Sequence, residues 1–182
     1  MASKGLVIVH TGDGKGKTTA ALGLALRAWG GGLRVLILQF IKGGQTYGEL
    51  EAIQQLAKLS GSQRGRIEVR QCGLGFTRRD ESREAEHQEA ASRAMEMAAK
   101  EIESGLWDMV ILDEINYAVK FGLVPENEML ALLERRPEPL HLVLTGRDAP
   151  ESLTERADLV TEMRLVKHPF QQGIQAQKGI EF

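Results

Sequence analysis

Eight consecutive residues, Gly12-Asp13-Gly14-Lys15-Gly16-Lys17-Thr18-Thr19, carry the densest chemistry in the chain. Three glycines let backbone N–H groups converge on one point, and Lys17 brings a full positive charge to it. Thr18 adds a hydroxyl suited to a phosphate-bound divalent cation. The apolar run Leu6-Val7-Ile8-Val9 precedes the segment, and an alanine-rich helical stretch opens at Lys17. Strand, loop and helix N-terminus in that order form an anion cradle, because the helix end adds partial positive charge. The implied ligand is a nucleoside triphosphate. The usual spacing is G-x-x-x-x-G-K-[ST], which would put the first glycine at position 11. That position is Thr11, and the glycine is Gly12. The shortened loop still presents N–H groups, but it holds the phosphates differently from the loop of an ordinary NTP hydrolase.

A second constellation is Asp113-Glu114, directly after the apolar run Met109-Val110-Ile111-Leu112. An acidic pair at a strand end is the other half of a Mg²⁺ site of this kind, since Mg²⁺ needs only one or two carboxylates beside a hydroxyl, phosphate oxygens and water. Glu114 is expected to bind the ion directly, with Asp113 behind it or acting through water, and Thr18 as the hydroxyl ligand. Lys42 ends the second apolar run; it is either a phosphate ligand or a solvated lysine. Gly73-Leu74-Gly75-Phe76-Thr77 places an aromatic beside glycines, where it would face a ligand. Arg147, in Thr145-Gly146-Arg147-Asp148, reaches an anion or pairs with Asp148. Arg27 follows Lys17 by ten residues of helix, about 15 Å along the axis, and by itself reads as a surface residue.

The four histidines show no metal-ligand spacing. His87 is expected to face solvent from a charged helix and His141 to be structural, which leaves His168 as the histidine with a functional prospect. Arg64, Arg66, Arg70, Arg78 and Arg79 read as a solvated basic face. No Ser/His/Asp or Cys/His set is visible.

Positioning these residues takes alternating strands and helices. Strands are expected at 6–10, 33–41, 66–71, 107–112, 140–144 and 159–165, and helices at 17–29, 48–59, 80–104, 125–135 and 149–156, from apolar runs and 3.6-residue periodicity. Residues 167–182 resist assignment. Repeated βα units predict an α/β fold, a mostly parallel sheet of about six strands with helices on both faces, in one domain spanning 1–182. In such a sheet the ligand sits at the carboxyl ends of the strands, where every candidate above falls. With 182 residues and 42% hydrophobic content the chain can bury a sizeable core. A net charge of −2 with interspersed signs gives no general electrostatic case for nucleic acid or an anionic membrane. One cysteine excludes an internal disulfide, and no signal peptide or long apolar run is present, so a cytoplasmic protein is expected.

Together these motifs resemble the P-loop ATP:corrinoid adenosyltransferase family over essentially the whole chain. The resemblance rests on Thr11–Thr19 with its short loop, Phe40-Ile41-Lys42-Gly43, Gly75-Phe76-Thr77, Leu112–Ala118, Leu144–Arg147 and the tail from Lys167-His168-Pro169-Phe170 to Gly179-Ile180-Glu181-Phe182. It implies a RecA-like P-loop fold and a definite reaction. Co(I) of cob(I)alamin or cob(I)yrinic acid a,c-diamide attacks C5′ of ATP, the adenosyl group moves to cobalt, and triphosphate leaves. It further implies that ATP lies reversed in the loop. Residues 11–19, with Lys42 and Arg147, would hold ATP, and Mg²⁺, or Mn²⁺ in its place, would sit on Thr18, Glu114 and Asp113. Lys17 and Phe76 carry catalytic roles, Phe76 by displacing the lower axial ligand. Arg27 matches a family position implicated in triphosphate contact. A Trp two residues beyond the Phe76 position in the family is Arg78 here, and the family's longer N-terminal segment is expected to be nearly missing. A flavodoxin-like or other Co(II) reductant, a homodimer, and no nucleic-acid or membrane partner complete the expectation. The competing reading is a RecA-like ATPase coupling hydrolysis to motion or nucleic-acid binding; a non-enzymatic nucleotide-binding regulator is the third.

Overall fold

The computed structural model describes residues 4–44, 47–58, 65–75 and 83–181. Its centre is one sheet of six parallel strands: β1 (Val7–Thr11), β2 (Val35–Gln39), β3 (Ile67–Gln71), β4 (Met109–Asp113), β5 (His141–Thr145) and β6 (Leu159–Glu162). Their order is β3-β2-β4-β5-β1-β6. The helices are α1 (Lys17–Gly30), α2 (Gly48–Lys58), α3 (Glu84–Glu103), α4 (Ile115–Lys120), α5 (Glu126–Arg135) and α6 (Glu151–Arg156).

The near-continuous apolar strands follow from burial on both faces. β2 and β4 have every residue buried. Alternate residues then build two cores. Leu36, Leu38, Val110, Leu112, Leu142 and Leu144 face α3, α4, α5 and α6, with Ala91, Ala94 and Ala98 letting α3 approach closely. Val35, Ile37, Met109, Ile111 and Val143 face the other side, against Ala21, Ala25 and Ala28 of α1 and Ile53 of α2. Parallel pairing aligns the strand ends, so β4, β5 and β1 deliver Asp113, Thr145 and Thr11 side by side. At the opposite end, Arg34 clasps Asp108 through Nε and Nη2 at 2.9 and 2.7 Å, joining the starts of β2 and β4.

The expected alternation is present, with differences at the edges. Strand boundaries move by one or two residues, and the last strand stops at Glu162 rather than continuing to position 165. Helix α6 begins after Pro150, which serves as its N-cap. Helix α4 was not expected: six residues are too few to display a helical period. A short 3₁₀ turn, Pro169–Gln172, interrupts the otherwise irregular tail. His87 is buried at 7% exposure, not solvent-facing, because it lies on the apolar side of α3 with Ala91 and Ala94. The arginines at 66 and 70 are not a free basic face: Arg66 covers the Trp107 ring at 4.6 Å, and Arg70 bridges Glu68 and Glu101. Arg64, Arg78 and Arg79 lie outside the described residues.

Leu144 lies in β5 between β4 and β1 and is fully buried. Leu144→Ala should cost about 2–5 kcal/mol of unfolding free energy, read from urea denaturation.

Candidate functional site

The carboxyl ends of β1, β2, β4 and β5 define the site. After β1, the chain turns through residues 12–16 into α1, whose N-cap is Gly16. Gly12 and Gly14 are required by a close approach: a Cβ on either would lie 2.5 or 2.7 Å from the carbonyl oxygen of Met163, just past β6. Gly14 N–H donates to that oxygen at 2.6 Å. The loop is therefore braced by the sheet edge beside it.

Lys17 is buried, and its ammonium donates to the carbonyls of Gly12 and Gly14, both at 2.7 Å. Burial lowers its pKa, opposed by the Glu114 carboxylate; Arg147 lowers it further and Asp13 raises it. Arg147 and Asp13 are themselves exposed, so their charges act on Lys17 through the field of the site.

Asp113 closes β4 at 1% exposure and is the best-connected side chain in the site. Its Oδ1 accepts from Thr18 Oγ1 at 2.8 Å and from Thr145 Oγ1 at 2.7 Å. Its Oδ2 accepts from Gln39 Nε2 at 3.2 Å and lies 3.9 Å from Lys42 Nζ. Thr145 has a second duty, accepting the backbone N–H of Glu114 at 2.9 Å. That bond helps hold Glu114 at φ 63°, a left-handed conformation uncommon for a residue other than glycine. The next residues continue into α4, where Asn116 donates from Nδ2 to the carbonyl oxygen of Gly146 at 3.2 Å. The turn after β4 and the turn after β5 are thus tied together.

Glu114 differs from its neighbour. Among the described residues, none donates a hydrogen bond to its carboxylate. Burial raises its pKa and the Asp113 charge adds to the rise, against Lys17, Lys42 and Arg147. A carboxyl group with free oxygens, beside a hydroxyl and a second carboxylate, is an all-oxygen donor set. It suits a hard cation such as Mg²⁺ that keeps some of its own ligands.

Of the residues singled out from the sequence, Thr11–Thr19, Lys42, Asp113, Glu114 and Arg147 all lie at the carboxyl ends of β1, β2, β4 and β5. Lys42 is not solvated: its side chain is only 13% exposed, turned toward Asp113 and Glu49 and over the Tyr47 ring at 4.7 Å. The structure does not bring Arg27 to the loop; it is exposed in the last turn of α1. Phe76 lies outside the described residues. His168 caps the 3₁₀ turn by accepting Phe170 N–H at 3.1 Å. Gln39 and Thr145 have no role that a local motif assigns, yet both hold Asp113 in place. Their signal was a polar residue closing an otherwise apolar strand, a position that in a buried sheet needs a partner.

Residues 3–182 match the family described as ATP:corrinoid adenosyltransferase BtuR/CobO/CobP. A corrinoid adenosyltransferase of Sinorhizobium sp is 44% identical over 180 residues, covering 98% of this chain and 81% of that protein. One from Pseudomonas aeruginosa is 38% identical over 179 residues, covering 98% and 84%. The corrinoid adenosyltransferase CobA of Salmonella typhimurium is 38% identical over 180 residues, covering 98% and 86%.

The raised pKa of Glu114 makes a stability prediction. The folded carboxyl holds its proton more tightly than the unfolded one, so ionising it costs stability as pH rises from the ordinary value of 4.5 through the folded value. Glu114→Gln should therefore raise the melting temperature of nucleotide-free protein at pH 7, by about 2–4 °C per kcal/mol relieved, with the gain shrinking toward pH 4.5. Calorimetry across that range measures it; a gain that does not change with pH would contradict it.

Proposed function

The chain belongs to the ATP:corrinoid adenosyltransferase family and moves the 5′-deoxyadenosyl group of ATP onto a corrinoid in cobalamin biosynthesis; we propose that its shortened P-loop holds the entire triphosphate as the leaving group. In this reading the electron pair of Co(I) forms the Co–C5′ bond. The C5′–O bond breaks, its electrons stay on the departing triphosphate, and cobalt becomes Co(III). The nucleophile is the substrate's metal, so the protein needs no base or nucleophile of its own. The observation that carries the reading is the set of cations, Lys17, Lys42 and Arg147, gathered around Thr18 and the acidic pair at one end of the sheet.

The residues divide the task. The loop amides of 12–16 and the Lys17 ammonium neutralise charge as it collects on triphosphate, the stabilisation that matters most for an anionic leaving group. Lys17 exchanges its two carbonyl partners for phosphate oxygens. Lys42 and Arg147 flank the phosphates. Arg27 joins them where ATP extends along α1. Thr18 and Glu114, with Asp113 behind, would hold Mg²⁺, which supplies Lewis-acid stabilisation to the triphosphate. Phe76 acts on the lower axial ligand of the corrinoid. The span 1–182 works as one domain in the cytoplasm, as a homodimer, with a flavodoxin-like or other reductant supplying Co(I). No described helix is long and apolar enough to cross a membrane, and β6, with all four residues exposed, offers an open sheet edge to a second copy.

Incubation with ATP, Mg²⁺ and chemically reduced cobalamin should yield adenosylcobalamin and inorganic triphosphate. ADP and phosphate instead would favour the RecA-like ATPase. Lys17→Ala should lower kcat by about 100-fold or more, and near-normal kcat would remove Lys17 from the mechanism. Phe76→Ala should slow base-on cobalamin more than a corrinoid lacking the lower base, and equal losses would show no action on the axial ligand.

A further inference from the structure

The C-terminal segment reaches the P-loop a second time. Beyond the contact at Met163, Glu181 Oε2 meets Lys15 Nζ at 2.5 Å, across 166 positions of sequence. A turn aims the carboxylate: the N–H groups of Ile180 and Glu181 both donate to the carbonyl of Gln177, at 3.1 and 2.9 Å. Gly179, Ile180 and Glu181 form one wall of a groove of about 490 Å³ over Thr19, Leu22 and Gly23 of α1. The side chain of Glu181 is 14% exposed and that of Lys15 54%. The Lys15 hydrogen bond holds the Glu181 carboxyl below its ordinary pKa, so it is an anion at neutral pH.

An anion at the mouth of an anion cradle is out of place unless it serves the loop. Lys15 lies between Gly14 and Gly16, so its charge belongs to the cradle. Glu181 neutralises that charge and repels any phosphate approaching it. An ion pair with one half-exposed partner is weak and exchanges readily. We propose that Glu181 is a displaceable counter-ion of the P-loop: it occupies Lys15 between turnovers, yields it to triphosphate, and by reclaiming it weakens the hold on the triphosphate product. The proposal rests on the reading of residues 11–19 as a triphosphate site.

Calorimetric titration of the full chain with inorganic triphosphate and Mg²⁺ tests both layers separately. Wild type should bind, and Glu181→Gln should bind about threefold more tightly or better at low salt, with Glu181→Lys tighter still. The gain should fade as salt is raised to about 1 M. It should also vanish in a Lys15→Gln background, where Glu181 has no partner to compete for. Unchanged or weaker binding by Glu181→Gln, with wild type binding normally, overturns the counter-ion role and leaves a positioning or purely structural pair. Failure of wild type to bind triphosphate overturns the underlying reading and the proposal with it.

Discussion

The buried carboxylate of Asp113 is the interaction on which the rest of the site depends. A carboxylate at 1% exposure is tolerable only when its oxygens are satisfied. Here the donors come from three other elements: Thr18 on α1, Thr145 on β5 and Gln39 on β2. Each donor is thereby fixed as well. One desolvated acid thus sets the distance between the phosphate loop and the strand that carries the acidic pair. Thr145 transmits the constraint onward, because the same hydroxyl that donates to Asp113 accepts the N–H of Glu114.

Around that anchor the charges are kept under tension. Burial pushes Lys17 toward its neutral form and Glu114 toward its neutral form, while each opposes the other's shift. Such a site gains from a ligand that brings both signs, an anion for the lysines and arginine and a cation for the acids. A metal–polyphosphate ligand brings both. Glu114 concentrates the conflict, combining a left-handed backbone with a half-buried carboxylate that none of the described residues bonds.

The loop is also shaped from outside. Gly12 and Gly14 leave room for the chain at Met163, and Lys15 reaches Glu181. The segment after β6 therefore acts as a second wall for the cradle, and the edge strand is a brace for the loop as well as the end of the sheet.

Much of this was legible in the residues themselves. Apolar runs marked β1, β2, β4 and β5, because a strand covered on both faces must be largely apolar, while β3 was marked by alternation, and the glycine–lysine–threonine loop and the acidic pair stand out through local spacing. The short helix α4 was hidden because a helix of under two turns has no period to read. The burial of His87 is masked in the sequence by the charged residues around it, which outnumber the alanine stripe it shares. The residues alone specify the βα units and place the glycine loop and the acidic pair at their ends. Which of those ends meet is a matter of packing across the whole sheet: the order β4-β5-β1 sets Thr145 between Asp113 and the P-loop, and folding joins Thr18 to Asp113 across 95 positions and Lys15 to Glu181 across 166. The difference is one of range. Propensity, periodicity and turn chemistry act over a few residues, whereas strand order is fixed by how complete faces pack, and no local pattern records it.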